Sequence, residues 1–220
     1  MTVEVQIKKH PRARHLTLRY QPHKGHFVLT TPRRTSRKEA DAFLADQRLW
    51  MREQQQCYPK PQALQPGDEL LYLGKKRCIE HTEGKGVHVE VKADSLCVTC
   101  RIERFPRTVQ RFLKQQAAQT LTPLIYQKAE QIGKQVAAIT FRNSTSRWGS
   151  CTRSRRLSFS WRLIMAPMEA IDYVVAHEVA HLKHFNHQEK FWSLCRDLSS
   201  DYDFGKKWLH ENAAQLYINI

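Results

Sequence analysis

His177-Glu178-Val179-Ala180-His181 spells H-E-x-x-H, and Asn186-His187 follows six residues beyond the second histidine. Positions four apart lie on one face of an α-helix, so His177 and His181 can present two imidazole nitrogens to a single metal ion. Glu178 projects beside such an ion, outside its ligand shell, where its carboxylate can take a proton from zinc-bound water. That is the chemistry of a zinc hydrolase: the metal lowers the pKa of water towards neutrality and the carboxylate moves protons. Two histidines and a glutamate at this spacing also occur by chance in structural helices. Here, however, Ile171-Asp172-Tyr173-Val174-Val175-Ala176 precedes them, and its apolar positions continue into Val179 and Leu182. The helix is therefore expected to be largely buried, starting near Pro167. Buried imidazoles and a buried carboxylate are costly unless something satisfies them, and a metal does so.

A catalytic zinc site takes a third protein ligand and keeps one position open. The candidates are His184 and His187. His184 is three residues past His181 but seven past His177, so a continuing helix carries it along the rim. His187 can return to the metal only if the helix ends between Leu182 and Asn186, and asparagine tolerates the left-handed conformation common just past a helix end. The His181-to-His187 interval equals that of the longer H-E-x-x-H-x-x-G-x-x-H motif, although His184 stands where that motif has glycine. His187 is thus the favoured third ligand, and His184 a residue of the rim or one that supports a ligand from behind.

These motifs have company. Arg147-Trp148-Gly149-Ser150-Cys151, Trp161-Arg162-Leu163-Ile164, the Ile171–His184 segment, Asn186-His187 and Phe191-Trp192 follow one another in an order that resembles the YgjP-like family of bacterial metallopeptidases. That family is more distantly related to SprT-type zincins. The motifs run from about Arg142 to Trp192, and the layout of the preceding region is similar, so the resemblance extends over the whole chain. It implies a zincin-like C-terminal domain with zinc held by His177, His181 and His187 and Glu178 as general base. The family often has Asn where Ser160 stands and Ser where Gln188 stands. Neither position belongs to the implied ligand set, and both can alter a substrate groove.

In the Arg147–Cys151 stretch, Gly149 permits a tight turn or a close backbone approach, and Trp148 offers a large anchor. The stretch either braces the metal helix or brings Arg147 or Ser150 near the open metal position, to stabilise an oxyanion or hold a substrate carboxylate or phosphate. Cys151 has no adjacent base and is expected to pack. The formal charge of +15, from 36 Lys and Arg against 21 Asp and Glu, creates a field that attracts polyanions. Arg12, Arg14, Arg33, Arg34, Arg37 and Lys38, then Lys75-Lys76-Arg77, then Arg153, Arg155 and Arg156 concentrate it. No nucleic-acid recognition motif accompanies them.

Three functions are therefore in play. The first is a zinc peptidase acting on peptide or protein. The second is a nucleoside triphosphate pyrophosphatase that turns the same metal, water and Glu178 on a phosphoanhydride. The third is a basic nucleic-acid-binding protein with a structural metal, which calls for a fourth ligand that the sequence does not offer. H-E-x-x-H with a further histidine favours the peptidase, since phosphoryl chemistry more often uses Mg²⁺ held by carboxylates.

The elements that must position these residues divide into an N-terminal β-rich region with one helix (residues 1–104) and a zincin-like catalytic domain (105–220), an α+β fold. Strands are expected over Val3–Lys8, His15–Tyr20 and Phe27–Thr31, with a turn at Gln21–Gly25. Ser36 caps a helix through about Gln56, and Pro59, Pro61, Pro66 and Gly67 break the chain. Further strands follow over Glu69–Leu73, Arg77–His81, Val87–Val91 and Leu96–Thr99. Pro106 opens a long helix to about Gln131 with Val109, Phe112, Leu113, Leu121, Leu124 and Ile125 inside. Beyond Gly133 come strands Ala138–Arg142 and Leu157–Trp161, the second being the expected sheet edge for a bound peptide. Helices over Gln188–Leu198 and Tyr202–Leu216 follow, with Phe191, Trp192, Leu194 and Trp208 expected in the core. Among the six cysteines, Cys97 and Cys100 form an isolated C-x-x-C whose members point to opposite faces of a strand, which suits packing. There is no run of apolar residues long enough to span a membrane and no signal-peptide-like start at Met1-Thr2-Val3-Glu4, so a cytoplasmic location is expected.

Overall fold

The computed structural model describes residues 4–21, 25–57, 63–144 and 147–217. The chain forms two compact units, residues 1–62 and residues 63–218. Within the first, β1 (Val5–Lys9) pairs parallel with β3 (His26–Thr31), which pairs antiparallel with β2 (Thr17–Gln21). Phe27 and Leu29 are fully buried, and the Phe27 ring meets Tyr20 at 4.7 Å and Trp50 at 5.9 Å between centroids. Ser36 closes the expected capping box: its hydroxyl accepts from Glu39 N at 3.2 Å and its own N–H donates to Glu39 Oε2 at 2.7 Å. The helix it opens is two helices, α1 (Arg37–Asp46) and α2 (Arg48–Cys57). At Gln47 ψ swings to 4° and its N–H reaches both Phe43 O and Ala45 O, which tightens the last turn and resets the helical ladder. Val3, most of the expected turn at 21–25 and the break at Pro59 and Pro61 lie outside the described residues.

The second unit holds the sheet of residues 69–100 and the described residues after it, to 217. Its first sheet is ordered β4-β5-β7-β6, from β4 (Glu69–Tyr72), β5 (Lys75–Glu83), β6 (His88–Val91) and β7 (Ser95–Cys100). Leu96, Val98 and Cys100 alternate into the core, while the Cys97 thiol turns away and donates to Glu80 Oε2 at 3.0 Å. The cysteines of the C-x-x-C thus share no site. Against this sheet lies α3 (Phe105–Gln131), with proline in its first turn. Its buried row, Phe105, Val109, Leu113, Ala117, Leu121, Ile125 and Ala129, repeats every four residues, while Phe112 and Leu124 flank it half-buried. Pro123 interrupts the ladder on the exposed side, where water can satisfy the freed carbonyl. The 104/105 boundary expected from sequence falls inside this unit, because the sheet, α3 and the later strands bury one common core.

The second sheet is ordered β8-β10-β9: β8 (Ala138–Arg142) runs parallel to β10 (Arg156–Ser160), and β9 (Gly149–Cys151) antiparallel to it. This corrects one expectation. The strand ending at Ser160 is central, and the edge facing the metal helix is β9, drawn from a stretch that looked like a loop. A 3-10 turn (Trp161–Met165) leads into α4 (Met168–Ala180), followed by α5 (Glu189–Leu198) and α6 (Tyr202–Asn212). Phe191 is buried, and Trp192, Leu194 and Trp208 are half-buried against the same core.

Three contacts hold α4 in place. The β4–β5 turn, with Leu73 and Gly74 at φ +49° and +76°, donates from Leu73 N to Ile164 O and from Gly74 N to Met165 O. On the opposite side α6 packs so closely that a methyl group on Gly205 would lie 2.5 Å from Glu169 O. Between α3 and α4, buried Lys128 Nζ lies 2.6 Å from Asp172 Oδ1 and donates also to Leu198 O. Asp172 Oδ2 accepts from Ser200 N and Ser200 Oγ. Every oxygen and the ammonium are engaged, so the pair joins α3, α4 and the end of α5 without leaving an unpaired buried charge.

Candidate metal centre

The α4 helix is apolar nearly all round, with Ile171, Val175, Ala176 and Val179 fully buried, so the polar groups on it stand out. The helix ends at Ala180, two residues earlier than the sequence suggested. Leu182 N and Lys183 N bond back to Val179 O and Ala180 O, a tightened final turn, and His184 N bonds to Ala180 O. No left-handed residue is needed, and Asn186 has negative φ. The reversed chain brings His187 over the helix end. His187 Nε2 then lies 3.3 Å from His177 Nε2, and ring nitrogens of His177, His181 and His187 lie within 4.8 Å of one another. His184 is outside this cluster. Its backbone carbonyl, 2.9 Å from His181 Nδ1, orients that ring and leaves Nε2 free.

A single aromatic ring supports all three imidazoles. Phe191, with centroids 4.9, 4.5 and 4.7 Å from those of His177, His181 and His187, forms the floor. Trp192 flanks His177 and His187. This apolar surround has an electrostatic consequence. Burial, reinforced by the neighbouring histidines His181 and His187, lowers the His177 pKa to about 4, and burial lowers that of His181 as well. Both rings are thus neutral at physiological pH, the form in which imidazole binds a metal. His177 Nδ1 is buried with no hydrogen-bond partner among the described residues.

Glu178 is the neighbour that does not join the cluster. It is buried at 6% exposure, and burial raises its pKa to about 7 against the opposing pull of Arg147. Its carboxylate lies directly on β9: a methyl group on Gly149 would sit 2.4 Å from Glu178 Cγ and 2.6 Å from Oε1. Gly149 is therefore required for a close approach, as its place in the motif hinted, but its partner could not be read from the sequence. Trp148 anchors the start of β9 through a tilted ring contact with Tyr217, 5.4 Å between centroids.

A model of the YgjP-like metallopeptidase domain matches residues 14–212. The chain belongs to the YgjP-like family. No curated protein and no solved structure matches it. As a YgjP-like metallopeptidase domain the chain is a hydrolase that works with a metal ion, and the cluster of His177, His181 and His187 can hold one. The rest of the motif is distributed around Glu178. Arg147 is exposed and acts electrostatically on the carboxylate. Cys151, on the same face as Gly149, has its thiol pushed up to about 11 by burial and by Glu178, which makes it a poor nucleophile. Ser150 alternates to the opposite face of the sheet. Phe191 was expected in the core and His184 behind or beside the ligands; that the first floors all three imidazoles and the second acts through its backbone carbonyl was not legible, and the Lys128–Asp172 pair carries no local sequence signature. No helix among the described residues is long and apolar enough to cross a membrane.

Proposed function

We propose that this protein is a zinc-dependent peptidase in which His177, His181 and His187 hold the metal and Glu178 is the general base. The observation that carries the proposal is the 3.3 Å between His177 Nε2 and His187 Nε2. Two nitrogens at zinc–nitrogen distances and a tetrahedral angle are about 3.3–3.4 Å apart. The neutral His177 and His181 rings fit the same ion. Bound there, zinc supplies a Lewis acid that polarises the scissile carbonyl and makes water acidic enough to attack near neutral pH.

The protein's own groups do the rest. The Glu178 carboxylate takes a proton from the attacking water and delivers it to the leaving amine nitrogen. A pKa of about 7 suits both halves of that transfer, and the nearby Arg147 guanidinium favours the ionised, accepting form. Gly149 keeps the carboxylate against β9, and the edge of β9 not paired with β10 offers backbone groups to an extended peptide. Phe191 and Trp192 exclude water from the far side of the histidines.

Protein purified without chelator should carry about one zinc per chain. Glu178→Gln should keep the metal and lose hydrolysis of denatured proteins, whereas His187→Ala should lose the metal. Running nucleoside triphosphates alongside tests the phosphoanhydride alternative: turnover of these alone, abolished in Glu178→Gln, overturns the peptidase assignment. Equal activity in wild type and Glu178→Gln overturns the role of the carboxylate.

A further inference from the structure

The β8-β10-β9 sheet has two faces of opposite chemistry. Leu157 and Phe159 of β10 point into the core, on the side where Gly149 meets Glu178. The alternate positions carry hydroxyls and guanidiniums. Ser158 lies opposite Ser150, and Ser160 lies opposite Arg142. With Ser144, Arg147 and the backbone-adjacent part of Phe159 these residues line a cavity of about 230 Å³. It lies across β9 from Glu178, and none of the three clustered histidines lines it.

The geometry points to a binding site for a phosphate group in this cavity. No carboxylate lines it, and among the described residues neither Arg142 nor Arg147 has an ion-pair partner. Both guanidiniums are exposed and Arg147 also acts at a distance on Glu178, but no carboxylate in the lining neutralises them, and their combined charge matches the near-dianionic phosphate monoester. The hydroxyls add donors. Ser160 is fully buried, and among the described residues the acceptor of its hydroxyl is Ser144 O, a long 3.4 Å away. Four serine hydroxyls and two planar guanidiniums offer more donors than the two oxygens of a carboxylate need, and they suit the three free oxygens of a phosphate. The volume admits one such group and the first atoms of its carrier, with the remainder in solvent.

The surroundings extend this field. Arg156 lies on the same sheet face one repeat before Ser158, and Arg153 and Arg155 lie on the connecting turn, all exposed. The site stands whether or not the histidines hydrolyse peptides.

The test is a titration of full-length, chelator-stripped protein with orthophosphate at constant ionic strength, followed by phosphorus NMR line broadening. Wild type should bind saturably. Arg142→Gln should bind at least about tenfold more weakly, the loss expected for one charge-assisted bond. Ser158→Ala, which keeps both charges, should show a smaller loss, and His187→Ala should bind as wild type does. Thermal unfolding of each variant without ligand checks that it is folded. Repeating the titration with ATP and with single-stranded oligothymidylate identifies the carrier, since whichever loses affinity in Arg142→Gln uses the pocket. Equal phosphate affinity in wild type, Arg142→Gln and Ser158→Ala overturns the proposal. So does displacement of phosphate by acetate as readily as by sulfate, or loss of binding in folded His187→Ala.

Discussion

Replacing Glu178 by glutamine should stabilise the metal-free protein, and the gain should depend on pH. The carboxyl is buried, which raises its pKa from an ordinary 4.5 to about 7. Below pH 4.5 it is neutral in folded and unfolded chains alike, and Gln is nearly isosteric with it. As pH rises the unfolded chain ionises first, so the wild type loses stability across the interval up to about 7 and then levels off. One pKa unit corresponds to about 1.4 kcal/mol, so the full penalty is about 3 kcal/mol. Glu178→Gln escapes it. His177, with its pKa lowered from 6.5 to about 4, imposes the opposite trend, since stability falls as pH falls through that window. That trend is common to both proteins and cancels in their difference. Urea unfolding of chelator-stripped wild type and Glu178→Gln, from about pH 4 to about pH 8, measures the difference directly. A gap that stays constant across this range would refute the assignment of Glu178 as a desolvated carboxylate.

Gly149→Ala should leave zinc content unchanged but lower kcat on denatured protein on the order of 100-fold, because the new methyl, 2.4 Å from Glu178 Cγ, must push the carboxylate away. Turnover equal to wild type would show that Glu178 does not need its seat on β9. Lys128→Met and Asp172→Leu should each cost about 3–5 kcal/mol in urea unfolding, while the double variant costs much less than their sum. Strict additivity would mean that the two charges act separately. Gly205→Ala should lower stability by about 1–3 kcal/mol, since the methyl meets the Glu169 carbonyl of α4. A thermal midpoint unchanged from wild type would indicate that α6 shifts freely.

What could be read from the chain was what repeats or pairs locally. The i, i+4 histidines, the apolar run before them, the Ser36 capping box and the four-residue rhythm of α3 all declare themselves within one or two helical turns. His187 was identifiable because a short loop limits where the chain can go. The loop's construction was not, since backbone bonds from Leu182 and Lys183 shorten the helix where the side chains give no stop signal. The central place of β10 depends on β8 pairing alongside it in parallel, and local alternation carries no information about neighbours in a sheet. The glycine at 149 was visible as a glycine; that Glu178 fills the space it leaves is a long-range contact. The same holds for Lys128 and Asp172, each of which looks like an ordinary charge on a helix until the two meet.

The β4–β5 turn sets a limit on how this enzyme can be cut down. Its amides at Leu73 and Gly74 cover the carbonyls of Ile164 and Met165, and Gly74 lies so close to Pro167 that a methyl there would be 2.8 Å from its Cβ. A fragment beginning at Phe105 would contain all three histidines and Glu178, yet it would strip the cover from the segment that launches their helix. It would also expose the side of α3 that the first sheet now hides. The smallest piece worth expressing on its own therefore starts at the beginning of the second unit, near Ala63, and an affinity tag or fusion junction belongs ahead of that point, not between the sheet and α3.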